Sequence, residues 1–344
     1  MLKIKNIIVT VFSILFLLVS CNDNKKIMSS LKQFDNELSD KRFHFGDQIN
    51  LPQEVISSIE KVSISFGDVE TSDLIISPKY FKYGYNDVTF NIKTKSGGII
   101  TKDATINIYS KTPEEIISYN VVHEYPHDPN NFLEGLYIEN NTVYESVGLL
   151  KVSKLIKYNL GSLEPIVSIN QPEEIFSEGC AVAGNKIYQL TYQNRIGIIY
   201  DKNSFKKISE FTLPAVMREG WGITYDGQNL IATDGSNKLF FLDTEDPSKV
   251  IKTVSVAGHE QIYDQLNELE YHDGFIYSNI WHQPFILKIN YFTGEVVGKL
   301  DLTQLTNENN AGDSEHVLNG IAFNGNNMII SGKNWAKMFE LIIK

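Results

Sequence analysis

Apolar and polar residues alternate in short runs along most of this chain, the period of half-buried β-strands. Val62, Ile64 and Phe66 form one run. Val88, Phe90 and Ile92, then Ala104, Ile106 and Ile108, form two more around Ser96-Gly97-Gly98, a hairpin pattern. Residues 42–112 therefore predict a small β-sandwich of the immunoglobulin-like kind. No convergent polar cluster marks it, so it reads as a spacer or docking module.

From residue 113 to 344 the pattern repeats. A strand, a turn and a second strand recur as GLYIENNTVY from Gly135, GCAVAGNKIY from Gly179, GITYDGQNLI from Gly222, ELEYHDGFIY from Glu268 and GIAFNGNNMI from Gly320. The starts lie 44, 43, 46 and 52 residues apart. A third strand follows each pair, as at 197–201, 239–243, 285–290 and 337–342. Repeats of this length without helical segments predict a five-bladed β-propeller; a solenoid of the same repeat length is the alternative. The fifth unit reaches Lys344 after three strands, and Ser118–Tyr125 can supply a fourth, closing the ring and removing an exposed edge.

In a propeller the first strand of each blade lines the axis, so the residues just before the repeat starts converge: Glu134, Glu178, Trp221, Asn267 and Asn319. Two carboxyls, two carboxamides and an indole make a polar pocket with an apolar wall, unless they serve only to bind channel water. Tyr192, Trp281 and Lys333 fall near the same mouth, at the ends of second strands, and Glu145 is placed in the analogous region of the first unit.

The N-terminus carries an address. Lys3 and Lys5 precede an apolar run, Ile7–Val19, too short to span a bilayer. Leu18-Val19-Ser20-Cys21 resembles a bacterial lipobox, which makes residues 1–20 a lipoprotein signal peptide and Cys21 the acylated first mature residue. An ordinary signal peptide with an incidental cysteine is the alternative. Residues 21–41, polar and weakly periodic, read as a tether. The expected location is the bacterial cell envelope, lipid-anchored, on the periplasmic side or cell surface.

Composition narrows the picture. The chain has 344 residues, 42% hydrophobic, with a formal net charge of −11, which argues against nucleic-acid binding. The 2 cysteines exclude a disulfide framework or thiolate zinc cluster. Cys180, left without a partner, is expected as a small buried hydrophobe. The expected state is a monomer.

Several segments carry a resemblance: Pro126-His127-Asp128-Pro129, Phe132-Leu133-Glu134-Gly135-Leu136, Tyr144-Glu145-Ser146-Val147-Gly148-Leu149, Phe176-Ser177-Glu178-Gly179, Glu219-Gly220-Trp221-Gly222, Asn267-Glu268-Leu269-Glu270, Asn279-Ile280-Trp281 and Leu318-Asn319-Gly320. In this order they resemble the glutamine cyclotransferases of plant and bacterial type, over about residues 119–343. The resemblance implies a five-bladed propeller that converts N-terminal glutamine of peptides to pyroglutamate and releases ammonia. It implies Glu178 as the proton-transferring residue, Trp221 and Trp281 as substrate walls, and Asn267 and Lys333 as substrate-binding groups. Glu134 stands where the family commonly has Gln, and Tyr192 where Trp is usual. On that basis, and because it relieves like-charge repulsion, Glu134→Gln is expected to do the opposite of harm. No metal ligands or organic cofactor are expected, and a structural cation in the channel is left open. The competing function is a non-catalytic propeller that binds a peptide or glycan.

Overall fold

The computed structural model describes residues 27–310, 312 and 314–344. Cys21 and the apolar leader lie outside the described residues. The chain divides into two compact units that meet between Lys111 and Thr112.

In the first unit residues 27–40 are helical (α1), which corrects the reading of 21–41 as a plain tether. Ile27, Leu31, Phe34 and Leu38 are buried along one stripe of that helix. Phe34 meets Phe90 edge-on at 5.8 Å, and Asp35 pairs with Lys102 at 2.6 Å. After α2 (Gln53–Ser58) come β1 (Ile59–Phe66), β2 (Val69–Thr71), β3 (Gly84–Thr94) and β4 (Ile99–Ile108), in the antiparallel order β2-β1-β3-β4. The β3–β4 hairpin turns at the expected Ser96-Gly97-Gly98, with Gly97 at φ +85°. Val88, Phe90 and Ile92 point to the buried face of β3. Among the described residues this unit has one named sheet with a helix against it, not the two stacked sheets expected of a sandwich.

The second unit opens with β5 (Glu115–Ile117) and β6 (Tyr119–Pro126). Five sheets follow, three of them in simple chain order. The first holds β7 (Leu133–Glu139), β8 (Thr142–Val147), β9 (Lys154–Asn159) and β10 (Pro165–Asn170). The second holds β11 (Ser177–Ala183), β12 (Lys186–Thr191), β13 (Ile196–Asp201) and β14 (Lys207–Thr212). The third holds β15 (Ile223–Tyr225), β16 (Leu230–Ala232), β17 (Lys238–Leu242) and β18 (Val250–Ser255). The fourth holds β19 (Leu266–His272), β20 (Phe275–Ile280), β21 (Phe285–Asn290) and β22 (Val296–Asp301), with β5 added in parallel. In the fifth, β23 (Leu318–Asn324), β24 (Asn327–Gly332) and β25 (Lys337–Ile343) are completed by β6, antiparallel to β25 as expected. Helix α3 (Thr303–Asn309), not anticipated, fills the longest repeat spacing, and its Leu305 joins the core.

The first strands touch in cyclic order: β7 meets β11, β11 meets β15, β15 meets β19, β19 meets β23, and β23 meets β7. Each neighbouring pair of sheets encloses its own apolar cluster, five in all. Central strands therefore bury both faces. Phe240 and Leu242 pack toward the second sheet, whereas Leu239 and Phe241 pack toward the fourth. Cys180 is a free, buried thiol in the cluster between the first and second sheets.

Close approach at the centre requires glycine. A Cβ on Gly179 would lie 2.7 Å from the Trp221 carbonyl oxygen, and one on Gly135 would collide with the Cys180 backbone. At the fourth repeat Glu268 stands in this position. Its carboxyl accepts the N–H groups of Leu136 (3.3 Å) and Ile321 (2.8 Å), so it ties β19 to β7 and β23.

Candidate active site

Four sheets share one backbone hydrogen bond at the same end. The residue just after the second strand donates its N–H to the carbonyl two positions before the axial residue: Gly148 to Phe132, Tyr192 to Phe176, Trp281 to Gln265 and Lys333 to Val317. This bond fixes the register in which the mouth residues are presented.

A cavity of about 370 Å³ opens there, lined by Phe132, Glu134, Leu149, Phe176, Glu178, Tyr192, Trp221, Asn267, Trp281, Glu315 and Lys333. Seven residues singled out from the sequence meet in it: Glu134, Glu178, Tyr192, Trp221, Asn267, Trp281 and Lys333. Asn319 stands behind them, bonded to Glu134 and Asn267. Glu145 is not brought there. It is three residues short of the equivalent position, Gly148, and it points into the core, where it accepts from Tyr158 (2.6 Å) and pairs with His127 (3.1 Å). Leu149, next along the chain, takes the lining position with φ +76°.

The apolar walls include two residues legible from repeat register alone, since Phe132 and Phe176 each precede an axial glutamate by two positions. Phe176 packs on Tyr192 at 5.8 Å, and Trp221 meets Trp281 edge-on at 6.0 Å. Gly235, at φ +76°, leaves room for the indole; a Cβ there would lie 2.7 Å from the Trp221 ring. Glu315 comes from the irregular β22–β23 connection, where no periodicity marks it.

Lys333 Nζ donates to Glu134 Oε1 at 2.8 Å and sits 4.6 Å from the centre of the Phe132 ring. Glu134 Oε2 accepts from Asn319 Nδ2 at 3.1 Å. Both carboxylate oxygens of Glu134 thus face donors. A glutamine would turn its NH₂ toward an ammonium or another NH₂, which reverses the expectation for Glu134→Gln. Burial pushes the Glu134 carboxyl up, against the pull of Lys333 and Asn319. Burial drives Glu178 well above the usual carboxylate range, Glu134 adds to this, and Lys333 opposes it. No hydrogen bond from the described residues engages the Glu178 carboxyl, which leaves its proton available to a ligand.

Two further carboxyls lie below. Burial pushes Glu270 up to about 8, against a hydrogen bond from the Thr224 hydroxyl at 2.7 Å. Burial and Glu270 raise Glu268 well above its ordinary range. In His127, Nδ1 meets the Trp335 carbonyl at 2.6 Å and Nε2 meets Glu145; burial opposes its protonation, but those two acceptors outweigh it and raise its pKa. Between the ordinary carboxylate pKa of about 4.3 and about 8, folded Glu270 keeps a proton that the unfolded chain releases. Stability must therefore fall as pH rises through that window. Raised His127 acts in the same direction, its contribution being lost as pH rises through its folded pKa. Thermal unfolding is expected at a lower temperature at pH 8 than at pH 5, with a smaller difference in Glu270→Gln; an unchanged difference would show that Glu270 does not titrate in this range.

An all-β scaffold presenting an aromatic-walled pocket, a buried carboxyl of raised pKa and a lysine–carboxylate pair has the make-up of an enzyme site for a small polar group. Residues 96–343 match the family model described as glutamine cyclotransferase. The chain belongs to this family and is an enzyme of its class. It is 31% identical over 230 residues to an Arabidopsis thaliana protein named glutaminyl-peptide cyclotransferase, covering 65% of this chain and 71% of that one. Among solved structures it is similar to Myxococcus xanthus glutaminyl cyclase, at 30% identity with a TM-score of 0.62, covering 68% of this chain and 99% of the other.

Proposed function

We propose that this enzyme cyclises the N-terminal glutamine of peptides or proteins to pyroglutamate, with Glu178 as the proton shuttle, on a five-bladed propeller. The observation that carries the shuttle is a buried carboxyl, raised in pKa and unengaged by other side chains, facing a cavity walled by Trp221 and Trp281. The cyclic contacts of the five inner strands and the five inter-sheet clusters support the propeller.

In this reaction the α-nitrogen forms a bond to the side-chain carboxamide carbon, and the bond from that carbon to the amide nitrogen breaks. A proton leaves the α-nitrogen and arrives on the departing one, which leaves as ammonia. Attack is intramolecular, so holding the folded-back rotamer is worth up to about 7–11 kcal/mol; the two indoles can do this by packing the methylenes. The α-amine, with a pKa of about 7.7–8.0, is partly neutral near pH 7. Glu178, holding a proton, gives it to the leaving nitrogen from one oxygen and takes the α-nitrogen's proton on the other, which regenerates the carboxyl and is typically worth about 10²–10⁴ in rate. Lys333, with one donor on Glu134, keeps others for the carbonyl oxygen as negative charge develops. Positioning and one shuttled proton complete the chemistry, so we assign no cofactor. Ammonia release from a Gln-initiated dipeptide tests the reading; its failure with every such peptide would return the pocket to a binding role.

We further propose that Cys21 is acylated and anchors the protein to a bacterial envelope membrane. Wild type is then expected in the membrane fraction and Cys21→Ala in the soluble or unprocessed fraction. Equal membrane association of both, with normal processing, would remove the anchor.

A further inference from the structure

The amide orientations behind the cavity follow from a chain of hydrogen bonds with one fixed end. Asn319 Nδ2 donates to the backbone carbonyl of Leu133 at 2.8 Å and to Glu134 Oε2 at 3.1 Å. A backbone carbonyl can only accept, so the nitrogen of Asn319 must face it, and its Oδ1 must face the other way. That oxygen lies 3.0 Å from Asn267 Nδ2 and takes its hydrogen bond. Asn267 is thereby held with its own Oδ1 turned away from Asn319. Asn267 lines the cavity, is only 4% exposed, and no donor among the described residues bonds to its Oδ1. Asn319 is fully buried, so no solvent competes for the bonds that set this order.

We infer that Asn319 is a positioning residue that locks Asn267 as a hydrogen-bond acceptor, and that Asn267 Oδ1 takes an N–H of the substrate's side-chain carboxamide, selecting N-terminal glutamine over N-terminal glutamate. This rests on the cyclisation reading of the same cavity. Substrate binding takes this oxygen out of solvent, where an acceptor without a donor is unfavourable, and the carboxamide NH₂ supplies one. A glutamate side chain brings only oxygen acceptors when ionised, so it meets the Asn267 oxygen lone pair to lone pair. Sites built around such a bond reject the analogue that lacks it far more strongly than apolar pockets reject a size change. The same oxygen stays favourable as the nitrogen gains a proton and departs as ammonia, because an acceptor stabilises a nitrogen that is becoming more positive.

The test compares the KM of a Gln-initiated dipeptide with the competitive inhibition constant of the matching Glu-initiated dipeptide. Asn319→Ala releases the Asn267 amide to rotate, and the preference for glutamine should fall about tenfold or more. Asn267→Ala, which removes the oxygen, should lose the preference as well. Asn267→Asp, which keeps an oxygen at that position, should restore it relative to the alanine variant. General loosening of the pocket would weaken both ligands together and leave the ratio where it was. If Asn319→Ala does not fold, the two Asn267 variants decide. Wild type without activity on any Gln-initiated peptide sinks the cyclisation reading itself. Active wild type with the ratio unmoved in both alanine variants, or Asn267→Asp no better than Asn267→Ala, overturns the assignment of Asn267 as acceptor.

Discussion

Glu178→Gln should lower turnover by about 10² or more while leaving KM within a few-fold. The substitution keeps the size of the side chain and its capacity to hydrogen-bond, and removes only the proton that can be exchanged. The carboxyl is buried and raised in pKa by desolvation and by Glu134, so it holds a proton to exchange with the substrate. The glutamine variant should retain the fold, because no hydrogen bond from the described residues depends on the charge at this position. Its measurement is steady-state ammonia release with pH varied. Wild type should show a limb that reports the Glu178 carboxyl, and the variant should lack it. Full turnover in the variant would move the shuttle to another residue, and Glu134 would be the next to test.

The second large effect concerns Glu134 and Lys333. Removing one partner of a buried, hydrogen-bonded ion pair typically costs about 3–5 kcal/mol, because the other charge is left without compensation. Glu134→Gln should therefore destabilise the protein by an amount of that order and lower kcat/KM by about tenfold or more. Lys333 then points at a carboxamide, and Asn319 loses the carboxylate that accepts its second N–H. Lys333→Met should be damaging for the reciprocal reason. The double variant Glu134→Gln/Lys333→Met removes both charges, so it should recover a substantial part of the lost stability but none of the activity. Chemical denaturation of the four proteins in a double-mutant cycle measures the coupling. A coupling near zero would mean that the ion pair does not hold the site together, and unchanged activity in Glu134→Gln would show that a neutral carboxamide serves at this position.

Much of the architecture was written locally. Strand alternation, the β3–β4 turn and the repeat period require only that each segment have a face to bury, and those signals survive without knowledge of the partner. The convergence of Glu134, Glu178, Trp221 and Asn267 followed from register for the same reason: equivalent positions in a closed repeat must meet at the centre. Phe132 and Phe176 were available by the same logic, two positions earlier in each repeat. Glu145 lies three residues before Gly148, the position of the first unit that corresponds to the mouth residues of the others. A slip of three positions along a strand reverses which face a side chain occupies, and Glu145 belongs to the buried pair with His127, not to the mouth.

Spacing along one chain is enough to set the strand pattern, the repeat, the family resemblance and most of the pocket's membership. Tertiary structure decided the rest. Five apolar residues among fourteen read as a polar tether until Phe34 has Phe90 to pack against. Whether Glu134 is a substitute for glutamine or half of an ion pair depended on where Lys333, 199 residues away, comes to rest. The polarity of Asn267 depended on a carbonyl of another sheet, reached through Asn319. Hydrogen-bond direction and the charge state of buried groups are properties of assembled neighbours, and no periodicity in a single sequence encodes which neighbour arrives.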